Sequence, residues 1–144
     1  IAVLAPMITN RNGLEQTYPK KEMTVRALLG LAFGKHGGIF RVWRNSCTME
    51  DVDIPAPVSV RSGSSACMLI RTDVFRALNG FDPRYGRFLA DHDLCTRVLK
   101  TGKGSIVFHP DMKVIRLGAR PDEGSKCSRI FAAFRYLIRW GINW

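Results

Sequence analysis

No stretch of this 144-residue sequence approaches the roughly 20 apolar residues that span a bilayer. Its longest apolar stretches, ALLGLAF and the segment around IFAAFRYLIRW, are short or broken by arginine. The opening IAVLAP lacks the basic n-region and cleavage site of a signal peptide. It also lacks an initiating methionine and begins directly on a strand-like run, as expected of a fragment that starts in mid-fold. Cysteines are few and far apart. Cys47, Cys67, Cys95 and Cys127 form no CxxC, and no HxxxH accompanies them, which argues against a structural zinc site. Cys67 in ACMLI and Cys95 in DLCTRV sit in apolar contexts where a free cysteine acts as a small core residue. The expectation is reduced thiols in a cytoplasmic setting. Internal repeats and low-complexity tracts are also missing.

What is present is an ordinary globular composition, 46% hydrophobic and 24% charged, long enough for one domain to bury roughly 68–70% of its unfolded surface. Acidic residues are scarce. Twelve face 22 Lys and Arg, a net charge of +10. The first 60 residues carry seven bases and five acids, the remainder fifteen and seven, so the excess lies in the C-terminal part. Such a surface suits an anionic partner: nucleic acid, a phosphate-bearing small molecule or an anionic membrane surface.

Periodicity alternates between strand and helix, which places the chain in the α/β class. IAVLAP reads as a buried strand stopped by Pro6, followed by an Asn12-Gly13 turn. Val25, Leu28, Leu29, Ala32 and Phe33 recur at helical spacing until Gly34, Gly37 and Gly38, and residues 35–57 read as a long loop. VSV and ACMLI are strand material. RTDVFRALNG is a short helix with Thr72 as N-cap and Asn79-Gly80 as its stop. An aromatic turn, FDPRYGRFLA, leads into a helix over DHDLCTRVLKTGKG, with Leu94, Val98 and Leu99 inward and Gly102 ending it. SIVFHP is a strand closed by Pro110, MKVIRL is another, and residues 125–140 form an aromatic, arginine-bearing helix.

The chemically suggestive stretch is LADHDLC, where Asp91 and Asp93 flank His92 at a helix start. Acids favour that position for helix capping, and Asp93 is the better cap candidate. The wider run SSACMLIRTDVFRALNGFDPRY, ADHDLCTRVLKTG and VFHPDMKVIRLGA resembles, without a gap, the C-terminal half of family 2 glycosyltransferases, in particular the bacterial rhamnosyltransferase-like group. IAVLAPMITNRNGLEQT and TVRALLGLAF resemble the preceding segment of that family more loosely. The resemblance implies a partial GT-A fold, a mixed sheet flanked by helices over residues 1–124, without the N-terminal nucleotide-binding half and its own DxD. An amphipathic helix over 125–144 would follow.

The resemblance implies that Asp91 is the general base of an inverting transfer from a nucleotide-sugar to a saccharide or lipid-linked acceptor, in polysaccharide or lipopolysaccharide synthesis of the bacterial cell envelope. It also implies substrate-binding roles for Asp93, Arg97, Gly63, Ser64 and Arg116. A divalent cation, Mg or Mn, is a family cofactor, although no ligand set is identifiable in this chain. Two positions depart from the family pattern. Ala90 stands where a glutamate precedes the base, and Arg116 stands where a histidine is usual. Arginine cannot bind a cation, but its planar fork suits a diphosphate.

In the C-terminal helix Ile130, Phe131, Phe134, Leu137 and Ile138 share one face, and Arg129, Arg135 and Arg139 mark the polar side. The stripe serves either packing against the fold or peripheral contact with the inner face of the cell membrane, Trp140 and Trp144 then lying at the interface. Two other function classes compete with the transferase: a non-catalytic remnant that acts as a binding module, and a basic nucleic-acid-binding domain. The second is disfavoured, because the sequence carries no RRM, KH, zinc-finger or helix-turn-helix pattern.

Overall fold

The computed structural model describes residues 1–13, 15–17, 19–21, 23–33, 38–46, 48–49, 52–117 and 125–141. Gly34, Gly37, Cys47 and Trp144 lie outside them. The architecture is mixed α/β. A five-stranded sheet has the order β2-β1-β5-β3, where β1 is Val3–Thr9, β2 Glu15–Thr17, β3 Val58–Ser59 and β5 Ile106–Ile115; β4, Leu69–Ile70, also pairs with β1. β1 and β5 run parallel, and the other pairings are antiparallel.

The sequence predicts that Pro6 and Pro110 end their strands, and the structure corrects both. β1 continues through Pro6 to Thr9, and β5 is one ten-residue strand. A strand has two edges. β5 takes one edge of β1, so the other is shared by β4 at Val3 and Leu4 and by β2 at Ile8 and Thr9. Pro6 falls in the gap between them, where its missing N–H leaves no ladder bond unmade. On the β5 side the register jumps from Pro6↔His109 to Met7↔Lys113, so Pro110, Asp111 and Met112 have no counterpart on β1. Both prolines thus sit at one bulge, a place where a sheet tolerates them.

Residues 38–46, expected within a long loop, form helix α2, Gly38–Ser46, packed beside α1, Val25–Phe33. The signal is the i, i+3 pair Phe40 and Trp43, whose rings meet edge to face at 5.5 Å. Helix α3, Thr72–Ala77, begins at the residue expected to cap it. Arg71 holds the cap position without a side-chain bond, and Thr72 is already helical. Its end is as expected: Asn79 and Gly80 both take positive φ, 56° and 65°.

Helix α4, Ala90–Lys100, is the centre of the molecule. Cys95 and Val98 pack into the core formed with Val3, Ala5, Ile106 and Phe108 of the sheet, while Leu89 and Ala90 belong to a second core with Ala27, Leu28, Ala132 and Tyr136. An element covered on two sides must bury polar positions too, and His92, Asp93 and Arg97 are all buried. Cys95 is a buried free thiol, and Cys67 and Cys127 are free as well.

Helix α5, Lys126–Trp140, is capped by the Ser125 hydroxyl, which accepts from the Ser128 N–H at 3.2 Å. Its orientation divides the apolar stripe. The buried face is Arg129, Ala132 and Tyr136, with Leu137 partly covered, and Phe131, Phe134 and Ile138 point outward. Small Ala132 lets α5 approach α1, and Tyr136 places its hydroxyl 2.8 Å from Thr96 Oγ1 of α4. Arg129, read as part of the polar side, is 5% exposed. Among the described residues no helix is long and apolar enough to cross a membrane.

Candidate active site

Helix α4 starts abruptly. Leu89 is left-handed, φ 67° and ψ 2°, and the first α-helical bond runs from the Asp93 N–H to the Leu89 carbonyl at 2.8 Å. A leucine there is strained by about 1–3 kcal/mol; burial of its side chain holds it. The N-cap residue is Leu89, which offers no side-chain bond, so Asp93 is not the cap that its position suggested. Residues two apart in a helix lie on nearly opposite faces. Asp91 and Asp93 accordingly belong to different environments.

Asp91 turns toward the 63–67 turn. Its Oδ2 accepts from the Ser65 N–H at 3.2 Å, with Ser65 Oγ at 3.5 Å, and its Oδ1 accepts from the His92 N–H at 2.9 Å. The residue is half-buried, in the first turn of α4, where the helix dipole favours negative charge. Burial pulls its pKa upward, but the positive charge of Lys20 and the two backbone N–H groups outweigh that, leaving it below the usual carboxylate range. Asp91 is therefore ionised at neutral pH, with its position fixed by two elements distant in sequence.

His92 points into the interior. Burial, with Lys20 adding to it, pushes its pKa down to about 3, so the imidazole is neutral. Among the described residues its Nε2 finds no hydrogen-bond partner. In the unfolded chain the same group protonates near 6.5. The unfolded state thus binds the extra proton first, and stability falls as pH drops from 6.5 towards 3, by at most about 1.4 kcal/mol per pH unit. Urea unfolding of wild type and His92→Gln between pH 7 and 4 is expected to show the shallower dependence in the variant. Equal slopes would mean that His92 is protonated in the folded protein.

On the opposite face Asp93 is wholly buried. Arg97 Nε donates to its Oδ2 at 2.8 Å, Trp140 Nε1 to its Oδ1 at 3.0 Å, and Arg139 Nη1 lies 3.4 Å from Oδ1. Arg97 also donates to the carbonyls of Leu78 and Gly80, at 2.5 and 2.7 Å, closing the end of α3. Asp93 and Arg97, two of the five residues that the resemblance assigns to substrate, are here engaged with one another and with α3 and α5. Trp140 turns its indole N–H inward, as in the packing alternative for this helix and unlike the interfacial position that membrane contact would give it.

Of the remaining candidates, Ser64 shapes its own turn, its Oγ accepting from the Ala66 N–H at 3.3 Å. Gly63 is buried against β1; a Cβ there would lie 2.8 Å from Ala5 Cβ. Gly63→Ala is expected to lower stability by about 1–3 kcal/mol in urea titration, because backbone would have to shift. A neutral effect would show that this strand has slack. Arg116 follows β5 directly, its N–H donating to the Thr9 carbonyl at 2.8 Å, and among the described residues no hydrogen bond or ion pair joins it to Asp91. Ser65 and Lys20 are the site residues that sequence reasoning missed. Ser65 is flagged only by the run of small residues SGSS; Lys20 reaches the site through its backbone bonds with Arg61 and Ser62, a long-range pairing without a local signature.

No family model, curated protein or solved structure matches this chain. A divalent cation such as Mg needs near-octahedral oxygen ligation. Among the described residues no three His, Cys, Asp or Glu side chains come together, and the two acids of DHD diverge. This donor set does not fit the cation that the resemblance implies.

Proposed function

We propose that the chain is the acceptor-side part of an inverting glycosyltransferase of GT-A type, with Asp91 as its general base. The observation that carries this reading is the Asp91 carboxylate itself: partly exposed, ionised and held at a helix start by the Ser65 N–H. It also stands at the position that the family resemblance gives to the base. In the reaction an acceptor hydroxyl gives its proton to Asp91 as its oxygen bonds to the anomeric carbon. The bond from that carbon to the diphosphate oxygen breaks, and its electron pair leaves with the nucleoside diphosphate. Attack from the face opposite the leaving group inverts the configuration. The free thiols fit a cytoplasmic reaction, and the envelope polysaccharides named by the resemblance supply the acceptor class.

A binding remnant is the second reading, favoured by the internal engagement of Asp93 and Arg97. The two part in a transfer assay. The complete natural protein is incubated with a panel of nucleoside diphosphate sugars and saccharide or lipid-linked acceptors, and products are read by mass spectrometry and anomeric NMR couplings. A product of inverted configuration supports transfer. Folded protein that binds saccharide but turns over no donor supports the remnant, and a retained configuration overturns the assignment of Asp91 as base.

A further inference from the structure

Helix α5 presents three large apolar side chains to solvent, Phe131, Phe134 and Ile138, exposed by 74%, 63% and 71%. They line an open groove of about 540 Å³ together with Arg84, Arg135 and Arg139. A helix that turns its apolar stripe outward is unusual, because burial of each such side chain is worth roughly 1.5–3 kcal/mol. Here the rotation is fixed from the other side. Tyr136 is buried beside Thr96, its ring against Tyr85; Trp140 donates to buried Asp93; Arg139 donates to Asp82 Oδ2 at 2.8 Å. Turning the phenylalanines inward would break every one of these contacts. The outward stripe is thus a consequence of how α5 is anchored.

The charge around the stripe is of one sign. Among the described residues no acid lines the groove. Asp82, behind it, is shared by Arg84 and Arg139, at 2.6 and 2.8 Å, and Arg135 has no acid in ion-pair range among the described residues. A second copy of the chain is a poor occupant: a two-fold contact would set arginine against arginine with no acid to receive either. Nucleic acid would use the arginines but leave the aromatic and aliphatic side chains idle. A bilayer with anionic headgroups uses both, since apolar side chains enter the acyl boundary while guanidinium groups meet phosphate. Lying flat, the 15-residue helix extends about 22 Å along the surface.

We propose that the outer face of α5 docks this protein on an anionic phospholipid surface, with Phe131, Phe134 and Ile138 inserted and Arg84 and Arg135 at the headgroups. The inference stands on α5 and its surroundings and is independent of the transfer reaction. The test is co-sedimentation of the full chain with phosphatidylcholine vesicles, with and without phosphatidylglycerol, at two salt concentrations. Binding is expected only with phosphatidylglycerol and is weakened by salt. Phe131→Ser and Ile138→Ser should each reduce partitioning roughly tenfold, and Arg135→Glu should reduce it while restoring no affinity for neutral vesicles. These side chains are exposed, so the fold survives, as circular dichroism would verify. Absent or headgroup-independent binding overturns the proposal. So does self-association in sedimentation velocity that the same substitutions abolish, which would assign the face to a protein contact.

Discussion

Asp93→Ala is expected to destabilise the protein by about 3–5 kcal/mol, the largest loss of any single substitution outside the apolar core. The carboxylate is wholly buried, accepts from two donors on two helices, Arg97 and Trp140, and lies 3.4 Å from Arg139 Nη1. Its removal leaves the Arg97 guanidinium charged and uncompensated at 9% exposure, and the Trp140 indole N–H without its acceptor. Urea unfolding measures the loss. Asp93→Asn should lose less, because an amide oxygen still accepts from Trp140 while the charge on Arg97 stays unmatched. In a double-mutant cycle with Arg97→Ala, the paired variant should be more stable than the sum of the single losses predicts, by about 0.5–3 kcal/mol. Amide exchange adds a spatial prediction: the α5 amides should lose protection before those of β1 and β5. A loss below about 1 kcal/mol would mean that Asp93 is reached by water and does not anchor α5.

That network is also where sequence reasoning reaches its limit. The alternation of strand and helix was legible, as were the Asn79-Gly80 stop, the inward Leu94 and Val98 and the helix from 125. Each depends on local periodicity or backbone preference. Pro6 and Pro110 misled because proline was judged by the rule for an ordinary ladder. The relevant fact is pairing, namely which edge of β1 is vacant at Pro6, and pairing is not a local property. α2 was missed because GIFRVWRNS is rich in β-branched and aromatic residues of modest helix propensity. Packing against α1 decides it.

The orientation of α5 shows the same limit more sharply. Its five large apolar residues do share a face, yet the buried face is offset from it, because Tyr136, Arg139 and Trp140 find acceptors on one side only. Polar tips outweigh a hydrophobic stripe when their partners, here Thr96, Asp82 and buried Asp93, all lie on the other side. At DHD the sequence showed two acids but not that α4 lies between two cores. The two acids on its opposite faces therefore had to part, one toward solvent and Ser65, the other into the interior. Asp91 could be singled out only through the family pattern. Lys20 and Ser65 lay beyond any reading of neighbours along the chain.

Asp91→Asn is expected to lower kcat for sugar transfer by about 10²–10⁴-fold in the complete protein, the range that general bases contribute. Donor affinity should stay close to wild type, because the carboxylate acts on the acceptor hydroxyl. The fold should survive: the asparagine oxygen can still accept from the Ser65 N–H, and the lost helix-dipole interaction is worth only about 0.3–1 kcal/mol. A pH profile separates the catalytic role from a structural one. Because the Asp91 pKa is lowered from 3.8, the acid limb of kcat/KM should lie below that value. Lys20→Met removes the charge that favours ionisation, so the limb should move to higher pH while kcat on the plateau changes little. Movement of the limb with Lys20, together with collapse of kcat without Asp91, identifies one carboxylate by two routes. Near-normal turnover by Asp91→Asn would remove it from the reaction and leave it the lesser task of joining the start of α4 to the 63–67 turn.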